Sequence, residues 1–567
     1  MKAQRKRFVV LALMMAVLMA FSACGTTNGT GGPASPSASG SSTPTASGED
    51  NGILNDLGVE PIVKTPYTLT IAISQNTNVQ DYETNHYTKL LEEKSGIDIQ
   101  FEFLPATDAK QKLSVMIAGG TKLPDIISLV LTDLEVYTYG TQGYFLPLNN
   151  YYETDSYYFK KAVEEHGLDT LLNNFISADG NIYTVPLYNP EYGNEWDHRF
   201  WVNQTWLDNL GLETPKTTDD LYNVLKAFKE RDPNGNNKAD EIPYMGHING
   251  WNSQPQNFLM NAFIYFNDQY NYLLVEDGKL VMGAKKDEWR QGLEYLNKLY
   301  SEGLITPLTF TQDRSQFQQV IENEEAQIVG TMSTGSMSIY QTESKRKEDM
   351  TSLAPLTGPN GVNLTTKRYQ GGENRCYITK DAKDPEIAFR LIDLMCETEL
   401  SITSRFGQMG VDWDWATDAD KGTGLYESMG IPATIKVINN HWGQPQNAEW
   451  ADAQAAIRPY PYGIGGMTWN GNSFDSQYMT AQAVPFYINK APEEVVHKIP
   501  FTTEENDEIS EIVTSLKTYI DESMQRFIVG DLPLSEWDNY VKELENIGLE
   551  KYLEVAQKAY DRYKANQ

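Results

Sequence analysis

Short segments in which apolar and polar residues alternate are separated along the chain by amphipathic helical patterns. The segments 67–74 and 97–104 place apolar side chains at every second position, which predicts two strands. A helical pattern ends at Gly96 between them, a second one ends at Gly119, and a buried strand follows within 124–130. Strand, helix, strand, helix, strand in this order predicts a parallel sheet with right-handed crossovers. We therefore expect an α/β fold.

The same patterns continue through the rest of the chain. Further strands are predicted within 182–188, 199–203, 326–332 and 373–378. The segment 217–232 has the apolar spacing of an amphipathic helix, and the tail from Ile509 is mostly helical. The patterned part, from about Val59 to Gln567, is long enough for two domains or one large two-lobed unit.

The N-terminus has the order of a secretory signal peptide. Basic residues within positions 2–7 precede the apolar run FVVLALMMAVLMAFSA, which ends in small residues before Cys24. This order predicts a cleaved signal over 1–23. The run is short for a bilayer span, so a retained transmembrane anchor is the weaker alternative. FSAC resembles a bacterial lipobox, which implies that Cys24 carries fatty acyl groups such as palmitate.

The segment after Cys24 consists almost wholly of Gly, Ser, Thr, Pro and Ala. This composition buries too little apolar surface to offset the conformational entropy of folding, so residues 24–65 are predicted to form a flexible linker. A lipidated cysteine followed by such a linker predicts a protein anchored at the outer face of the cell membrane. No later segment of the sequence is long and apolar enough to span a bilayer.

Charge and cysteine content narrow the possible partners. The formal net charge is −31, and removal of the four basic residues of the signal segment brings it to −35. So acidic a protein is a poor candidate for binding nucleic acid or another anionic polymer. Besides Cys24 the only cysteines are Cys376 and Cys396. They could pair in an oxidising compartment, but two buried thiols are the favoured interpretation.

The segment RDPNGNNKADEIP (231–243) places oxygen side chains at alternate positions of a loop that contains Pro and Gly. Ca²⁺ takes about six to eight oxygen ligands, and the EF-hand loop supplies them mainly from alternate positions. Counted in this way, the candidate ligands are Asp232, Asn234, Asn236, the backbone oxygen of Lys238, Asp240 and Glu241. We predict a calcium site that serves stability rather than chemistry. A solvated Asn-Gly turn is the alternative.

The second half of this loop departs from an EF-hand. The bidentate acid of an EF-hand stands at position 12 and opens an exiting helix, whereas Glu241 stands at position 10. Pro243 disfavours a helix there, because the residue before a proline is extended. Asn237 replaces the glycine of the sharp turn, and asparagine tolerates the left-handed backbone region. The expected arrangement is an entering helix, the loop and an extended exit.

The sequence offers little for catalysis. Its six histidines are scattered without a pair at metal-ligand spacing, and no nucleophile elbow or phosphate-binding loop occurs. The 77 acidic residues make chance carboxylate pairs plentiful, so such pairs say nothing about glycoside hydrolysis. We expect a binding protein rather than an enzyme. A cell-surface polysaccharide hydrolase or lyase is the first alternative, and a peptide or metal-chelate receptor is the second.

Aromatic residues are numerous, and several lie in loops beside Asn, Gln or Gly. Flat apolar rings combined with planar donors and acceptors suit the recognition of sugars. The tryptophans in polar loops are favoured as cleft residues: Trp251, Trp415, Trp442 and Trp469. Those at helical spacing among Leu and Val are favoured as core residues: Trp206, Trp289 and Trp537.

Five parts of the sequence resemble the large extracellular solute-binding lipoproteins of Gram-positive bacteria. These proteins serve ABC importers of oligosaccharides, and alginate-binding proteins are distant relatives. The matching segments are GNIYTVP (180–186), FWVNQTWLDNLGL (200–212), DPNGNNKADEIP (232–243), GGENRCYITKDAKDPEIAFRLID (371–393), and WDNYVKEL with GLEKYLEVAQKAYDRY (537–563). The resemblance covers the chain from about Tyr67.

The resemblance implies a two-lobed α/β fold, similar to periplasmic binding proteins, in which the chain crosses between the lobes several times. One lobe would hold 66–190 and 373–465, and the other 195–370 and 466–567, with a structural calcium loop away from the cleft. The implied function is capture of an oligosaccharide in the cleft and its delivery to the permease subunits of an ABC importer.

Relatives place ligand contacts at the crossing between lobes, which points to Glu373, Asn374 and Arg375. A salt bridge that stabilises the hinge is the alternative role for this trio. Gln75 and Asn76, directly after the first strand, would add polar contacts at the carboxyl edge of the sheet, where open α/β sheets bind ligands.

Overall fold

The structure, a computed structural model, describes residues 52–441 and 443–567. The predicted signal peptide, Cys24 and most of the predicted linker lie outside the described residues. The strands, in chain order, are β1 (Tyr67–Ser74), β2 (Ile97–Leu104), β3 (Ile126–Ser128), β4 (Val185–Tyr188), β5 (Phe200–Asn203), β6 (Ile242–Tyr244), β7 (Leu273–Glu276), β8 (Lys279–Met282), β9 (Val329–Ser333), β10 (Met350–Leu353), β11 (Glu373–Ile378), β12 (Trp413–Trp415), β13 (Ile435–Val437) and β14 (Ala456–Ile457).

Helices separate most of these strands. The α-helices are α1 (His86–Ser95), α2 (Ala109–Ala118), α3 (Asp133–Thr141), α4 (Asn149–Thr154), α5 (Tyr158–His166), α6 (Tyr192–Glu195), α7 (Gln204–Leu210), α8 (Thr218–Glu230), α9 (Pro255–Leu259), α10 (Asp287–Ser301), α11 (Arg314–Ile321), α12 (Pro385–Leu394), α13 (Thr398–Phe406), α14 (Ser476–Ala483), α15 (Thr503–Val529), α16 (Trp537–Ile547) and α17 (Leu549–Ala565). The predicted helix before Gly96 is α1, which ends because Gly96 adopts a left-handed conformation with φ 72°.

Six strands form the larger sheet in the spatial order β14-β4-β11-β3-β1-β2. The first three strands are parallel, as their alternation with helices predicts. β11 is antiparallel to both of its neighbours, β3 and β4. The α/β fold is thus confirmed, but the sheet is mixed, because β11 returns from a distant part of the chain and enters from the opposite edge.

A second sheet has the order β10-β5-β9-β6. All four of its strands come from the segment between β4 and β11. β9 pairs antiparallel with β5 and parallel with β6. Two smaller two-stranded sheets, β7-β8 and β12-β13, complete the strand pairing among residues 52–441 and 443–567.

Each of the two main sheets contributes to a separate hydrophobic core. The core of the larger sheet joins strand residues such as Ile71 and Ile378 to helix residues such as Leu91 and Ile392. The core of the second sheet contains the three tryptophans predicted to be buried, and the long C-terminal helices pack on it. Burial of such rings contributes about 1.5–3 kcal/mol each. The prediction that Trp206, Trp289 and Trp537 are core residues is therefore confirmed.

Two further predictions concern the cysteines and membrane-spanning segments. Cys376 and Cys396 are both buried free thiols, as favoured from the sequence. Among the residues that the structure describes, none of the helices is both long and apolar enough to cross a membrane.

Candidate functional site

The carboxyl edge of the larger sheet borders a cavity of about 470 Å³. β4 ends at this edge, and β11, which runs antiparallel to it, begins there. Open α/β sheets bind ligands at this edge. The lining residues come from these strand ends and the neighbouring loops: Leu187, Asn189, Pro190, Asn194, Tyr369, Gln370, Gly372, Glu373, Arg375 and Asp452.

A second cavity of about 180 Å³ adjoins the first one, and Tyr369 and Gln370 line both. Its wall is formed by Glu195, Lys367, Arg368, Tyr369, Gln370, Tyr460, Val495 and His497. The two volumes together fall in the range of small-molecule binding sites. Because the segment 367–375 passes along both cavities, it forms a shared wall.

The chain enters β11 through a tight turn. Gly372 has φ +89°, and a Cβ at this position would lie 3.1 Å from the backbone oxygen of Leu187. Only glycine adopts such a backbone without strain. β11 then carries a bulge at Arg375, since Asn374 pairs with Pro186 and Cys376 pairs with Val185. Bulges redirect side chains beside functional sites.

The bulge places the guanidinium of Arg375 at the cavity wall. Arg375 Nη2 donates to Glu373 Oε2 at 2.6 Å, and the Arg375 side chain is only 10 % exposed. Its Nε is buried without a hydrogen-bond partner. The Glu373–Arg375 pair therefore combines a cation with a carboxylate that is 56 % exposed, and it keeps one donor free. Asn374 turns away, and its Nδ2 donates to Asp133 Oδ1 at 2.9 Å.

Asp452 reaches the cavity from a strained loop. Ala451 and Asp452 have φ values of 53° and 61°, in the left-handed region that costs non-glycine residues free energy. The Asp452 carboxylate accepts a hydrogen bond from Arg458 Nη2 and lies 3.9 Å from Arg405 Nε. Two arginines thus hold this carboxylate from behind the cavity wall.

Tyrosine rings flank the cavities. Tyr192 and Tyr460 stack with centroids 3.9 Å apart, and the Tyr460 hydroxyl donates to Glu195 Oε2 at 2.8 Å. Tyr369 stacks on the ring of His497 with centroids 4.8 Å apart. Burial lowers the pKa of His497, so a neutral ring is favoured there. These flat surfaces lie beside amides and carboxylates, which is the combination that sugars require.

Charged groups in the smaller cavity are also paired. Lys367 Nζ lies 3.4 Å from Glu195 Oε1. Arg368 bridges Asp197 and Asp268, with N–O distances of 3.1 and 2.6 Å. The pKa of Asp268 lies well below its usual range, because His198 and Arg368 outweigh the effect of burial.

The other predicted ligand residues lie elsewhere. Gln75 is exposed, and its backbone N–H donates to Leu104 O at 2.9 Å. Asn76 Oδ1 accepts from the Asn78 N–H at 2.9 Å. Trp251 is 46 % exposed and donates from Nε1 to Asp197 Oδ2 at 3.0 Å, so it shares this carboxylate with Arg368.

Two more of the predicted tryptophans lie outside the cavity walls described above. Trp415 is 38 % exposed and packs edge-on against Trp413, with centroids 5.3 Å apart. Trp469 stacks on Tyr478 at 4.3 Å. Trp442 lies outside the described residues. The placement of these tryptophans in the cleft stays a prediction.

The predicted calcium loop connects α8 to the extended β6, which is the expected entering helix and extended exit. Asp232 Oδ1 and Oδ2 accept backbone N–H groups of Asn236 and Asn237 at 3.1 and 2.9 Å. Asn237 has φ 59°, in the left-handed region expected for it. The amide nitrogens of Asn234 and Asn236 donate to the carboxylate of Asp240 at 3.1–3.2 Å. The side chains of the loop therefore converge.

One atom of this loop fits a cation. Glu241 Oε1 is buried without a hydrogen-bond partner, and an orphaned carboxylate oxygen beside other acids is costly unless a positive charge compensates it. In the described part of the chain no group of three or more His, Cys, Asp or Glu is arranged as a metal site. The loop fits only if amide and backbone oxygens take part, as they do for Ca²⁺.

A preformed polar cavity with stacked tyrosines and paired charges, at the carboxyl edge of an α/β sheet, is typical of a ligand-binding protein. The family model for bacterial extracellular solute-binding proteins matches residues 78–399, more than half of the chain. The chain belongs to this family. It is a family of binding proteins, which supports the expectation of a binding protein over that of a hydrolase or lyase.

Known relatives extend over most of the chain. The fructooligosaccharide ABC transporter substrate-binding protein FusA of Streptococcus pneumoniae serotype 4 is 28% identical over 490 residues, covering 84% of this chain and 86% of that protein. The polygalacturonan/rhamnogalacturonan-binding protein YtcQ of Bacillus subtilis strain 168 is 20% identical over 487 residues, covering 84% and 88%.

Solved structures give the same fold. FusA in complex with kestose superposes with a TM-score of 0.68 at 25% identity, over 88% of this chain and 100% of that chain. A FusA EF-hand mutant in complex with fructo-nystose gives the same values. The two-lobed α/β fold of solute-binding proteins is therefore the fold of this chain.

Sequence reasoning identified Glu373 and Arg375 but missed most of the other cavity residues. Asn189, Asn194 and Glu195 belong to the aromatic loop LYNPEYGNEW, whose composition was a signal. Asp452 and Tyr460 lack such a signal, because only the tertiary fold brings them to the cavities.

Proposed function

We propose that this protein captures an oligosaccharide in the two adjoining cavities and delivers it to the permease subunits of an ABC importer. The observation that carries this proposal is the continuous wall of tyrosines, amides and paired charges at the carboxyl edge of the larger sheet. The FusA relative, which binds a fructooligosaccharide, supports it. Glu373 and Arg375 are the predicted contacts that line the wall.

The lobes are proposed to comprise 66–190 with 373–465, and 195–370 with 466–567. The distribution of strands supports this division, because the larger sheet uses strands from the first pair of segments and the second sheet uses strands from 200–353. The exposed rings of Trp251 and Trp415, together with Trp442, Trp469, Gln75, Asn76 and Asn374, are proposed contacts for longer ligands or for the ligand-closed form.

Calcium and a lipid anchor belong to the same proposal. Ca²⁺ would be held by Asp232, Asn234, Asn236, the backbone oxygen of Lys238, Asp240 and Glu241, and it would stabilise the junction of α8 and β6. The EF-hand named for the FusA relative supports this site. Cys24 would carry the lipid that holds the protein at the outer face of a Gram-positive cell membrane.

Titration calorimetry with kestose and a panel of plant and bacterial oligosaccharides tests the function. Tyr369→Ala should weaken binding at least tenfold, since loss of a stacked ring removes about 1.5–3 kcal/mol of apolar burial. Tyr157→Ala, which removes an exposed ring elsewhere, is the matched control and should bind normally.

Two outcomes would contradict the proposal. Binding of peptides but of no sugar would favour the receptor alternative. New reducing ends after incubation with a polysaccharide would favour the hydrolase or lyase.

A further inference from the structure

The cations that line the two cavities each have a carboxylate partner. Arg375 is paired with Glu373 at 2.6 Å in the larger cavity. In the smaller one, Lys367 is paired with Glu195 at 3.4 Å. Arg368 lines the same cavity and contacts the carboxylates of Asp268 and Asp197, which are not part of the lining, at 2.6 and 3.1 Å. The positive charge of the site is thus neutralised by the protein itself.

In the larger cavity the carboxylates are more open to the ligand than the cation is. Glu373 is 56 % exposed, whereas its partner Arg375 is 10 % exposed. In the smaller cavity Lys367 is 40 % exposed and Glu195 is 12 % exposed, so it is the larger cavity that opposes an anionic ligand. Asp452 also lines the larger cavity, with its arginine partners behind it. In this cavity a ligand carboxylate or sulfate would therefore meet Glu373 and Asp452 before it reached Arg375. A charge that leaves water needs a partner of opposite sign, and like charges in close contact are repelled.

The polar groups of the larger cavity suit an uncharged oxygen. The charge of the Arg375 guanidinium is already compensated by Glu373. Asn194 and Gln370 add amide groups on the same wall. An amide or a compensated guanidinium donates to a hydroxyl oxygen without requiring that the ligand be charged.

We propose that the ligand is a neutral oligosaccharide, and that oligosaccharides with uronic acid or sulfate groups are excluded because the cavities contain no uncompensated cation for them. This inference rests on the proposed function and adds the charge class of the ligand to it.

A matched pair of ligands tests the charge class. Trigalacturonic acid and its carboxyl-reduced form share linkage and length and differ in that each carboxylate is replaced by an uncharged hydroxymethyl group. Corresponding pairs of an acidic oligosaccharide and its reduced form can be prepared from other uronic-acid oligosaccharides. Calorimetry at neutral pH should show at least tenfold tighter binding of the reduced member wherever a pair binds. Equal or tighter binding of the acidic member would overturn this inference and leave the proposed function intact. Failure of every neutral and acidic oligosaccharide to bind would overturn both.

A charge variant tests the cause. Glu373→Gln keeps the shape and leaves Arg375 without its carboxylate, so the acidic member should gain at least tenfold in affinity relative to the neutral one. Glu294→Gln is the matched control, because it frees Arg290, 3.1 Å away, on the exposed face of α10. The control should keep the preference of the unmodified protein. If Glu373→Gln kept the same ratio of affinities for the neutral and the acidic ligand, the Glu373–Arg375 pair would not be the cause of the preference for neutral ligands. The inference would then be wrong.

Discussion

At the scale of single residues, buried charged side chains behind the cavity wall hold the Asp452 carboxylate in place. Arg458 is fully buried, and its Nη1 donates to Ser404 Oγ at 2.8 Å while its Nη2 contacts Asp452. Glu449 is buried beside this network, with Oε1 3.7 Å from His441 Nε2. Because buried charges require partners, removal of a member of this network should destabilise the loop that carries Asp452.

Glu449 should make stability depend on pH. Burial, and then the charge of Asp452, raise the pKa of Glu449 to about 8, although the Ala451 N–H, Arg405 and Arg458 oppose the shift. The neutral carboxyl is favoured in the folded state, so its contribution is complete below the ordinary pKa of about 4.3 and is lost as the pH rises through about 8. Glu449→Gln cannot ionise and should lose less stability between pH 5 and 9.

Urea unfolding at intervals over this pH range measures the effect, to which each pKa unit contributes about 1.4 kcal/mol. Glu83→Gln, which changes an exposed acid, should follow the unmodified protein. Parallel loss of stability in Glu449→Gln and the unmodified protein would show that Glu449 is ionised throughout.

Site residues that belong to a recognisable local sequence pattern could be predicted. Those that reach the site only through tertiary contacts could not. The alternating oxygens of 232–241 and the glycines before Glu373 are visible in the sequence. Asp452 is not, since its role depends on a left-handed backbone and on Arg458 six residues later. No local pattern specifies which loop faces a cavity.

At the scale of elements, the junction of α8, its loop and β6 is where the calcium proposal can be tested. Extracellular calcium sites have dissociation constants of about 10⁻⁴ to 10⁻³ M, so 1 mM Ca²⁺ should stabilise the protein by about 0.4–1.4 kcal/mol. Asp232→Ala should lower the melting temperature and remove its dependence on calcium.

Melting curves with chelator and with calcium provide the measurement. Asp418→Ala, which removes an acid on an exposed turn, should retain the calcium dependence. Identical curves for the unmodified protein with chelator and with calcium would instead support the solvated turn.

The positions of strands and helices along the chain could be predicted from the sequence, but which strands pair with each other could not. β1, β2, α1 and α2 lie where the apolar periodicity places them. The insertion of β11 between β3 and β4 was not predicted, because alternation identifies a strand but not its neighbour or its direction. Its antiparallel entry is what brings Glu373 and Arg375 to the carboxyl edge.

For the whole molecule, the proposed lipid anchor is the property to test. Cys24→Ala should appear in the culture medium and should lose incorporation of a palmitate analogue, because the thiol that accepts the acyl group is absent. Ser22→Ala changes a neighbouring residue and keeps the cysteine, so it should remain with the membrane fraction. Membrane retention of the Cys24→Ala protein would refute the lipid anchor.

The position of β11 in the larger sheet also sets a time for folding. β3 and β4 are not neighbours, and the strand that joins them ends only at Ile378. At about 5–20 residues per second, a ribosome needs roughly 20–75 s to reach that residue. Until then the first four strands cannot close into their final sheet, and pairing over such a sequence separation is slow even afterwards. If the predicted signal peptide directs export during synthesis, this delay would keep the chain unfolded for passage through the membrane.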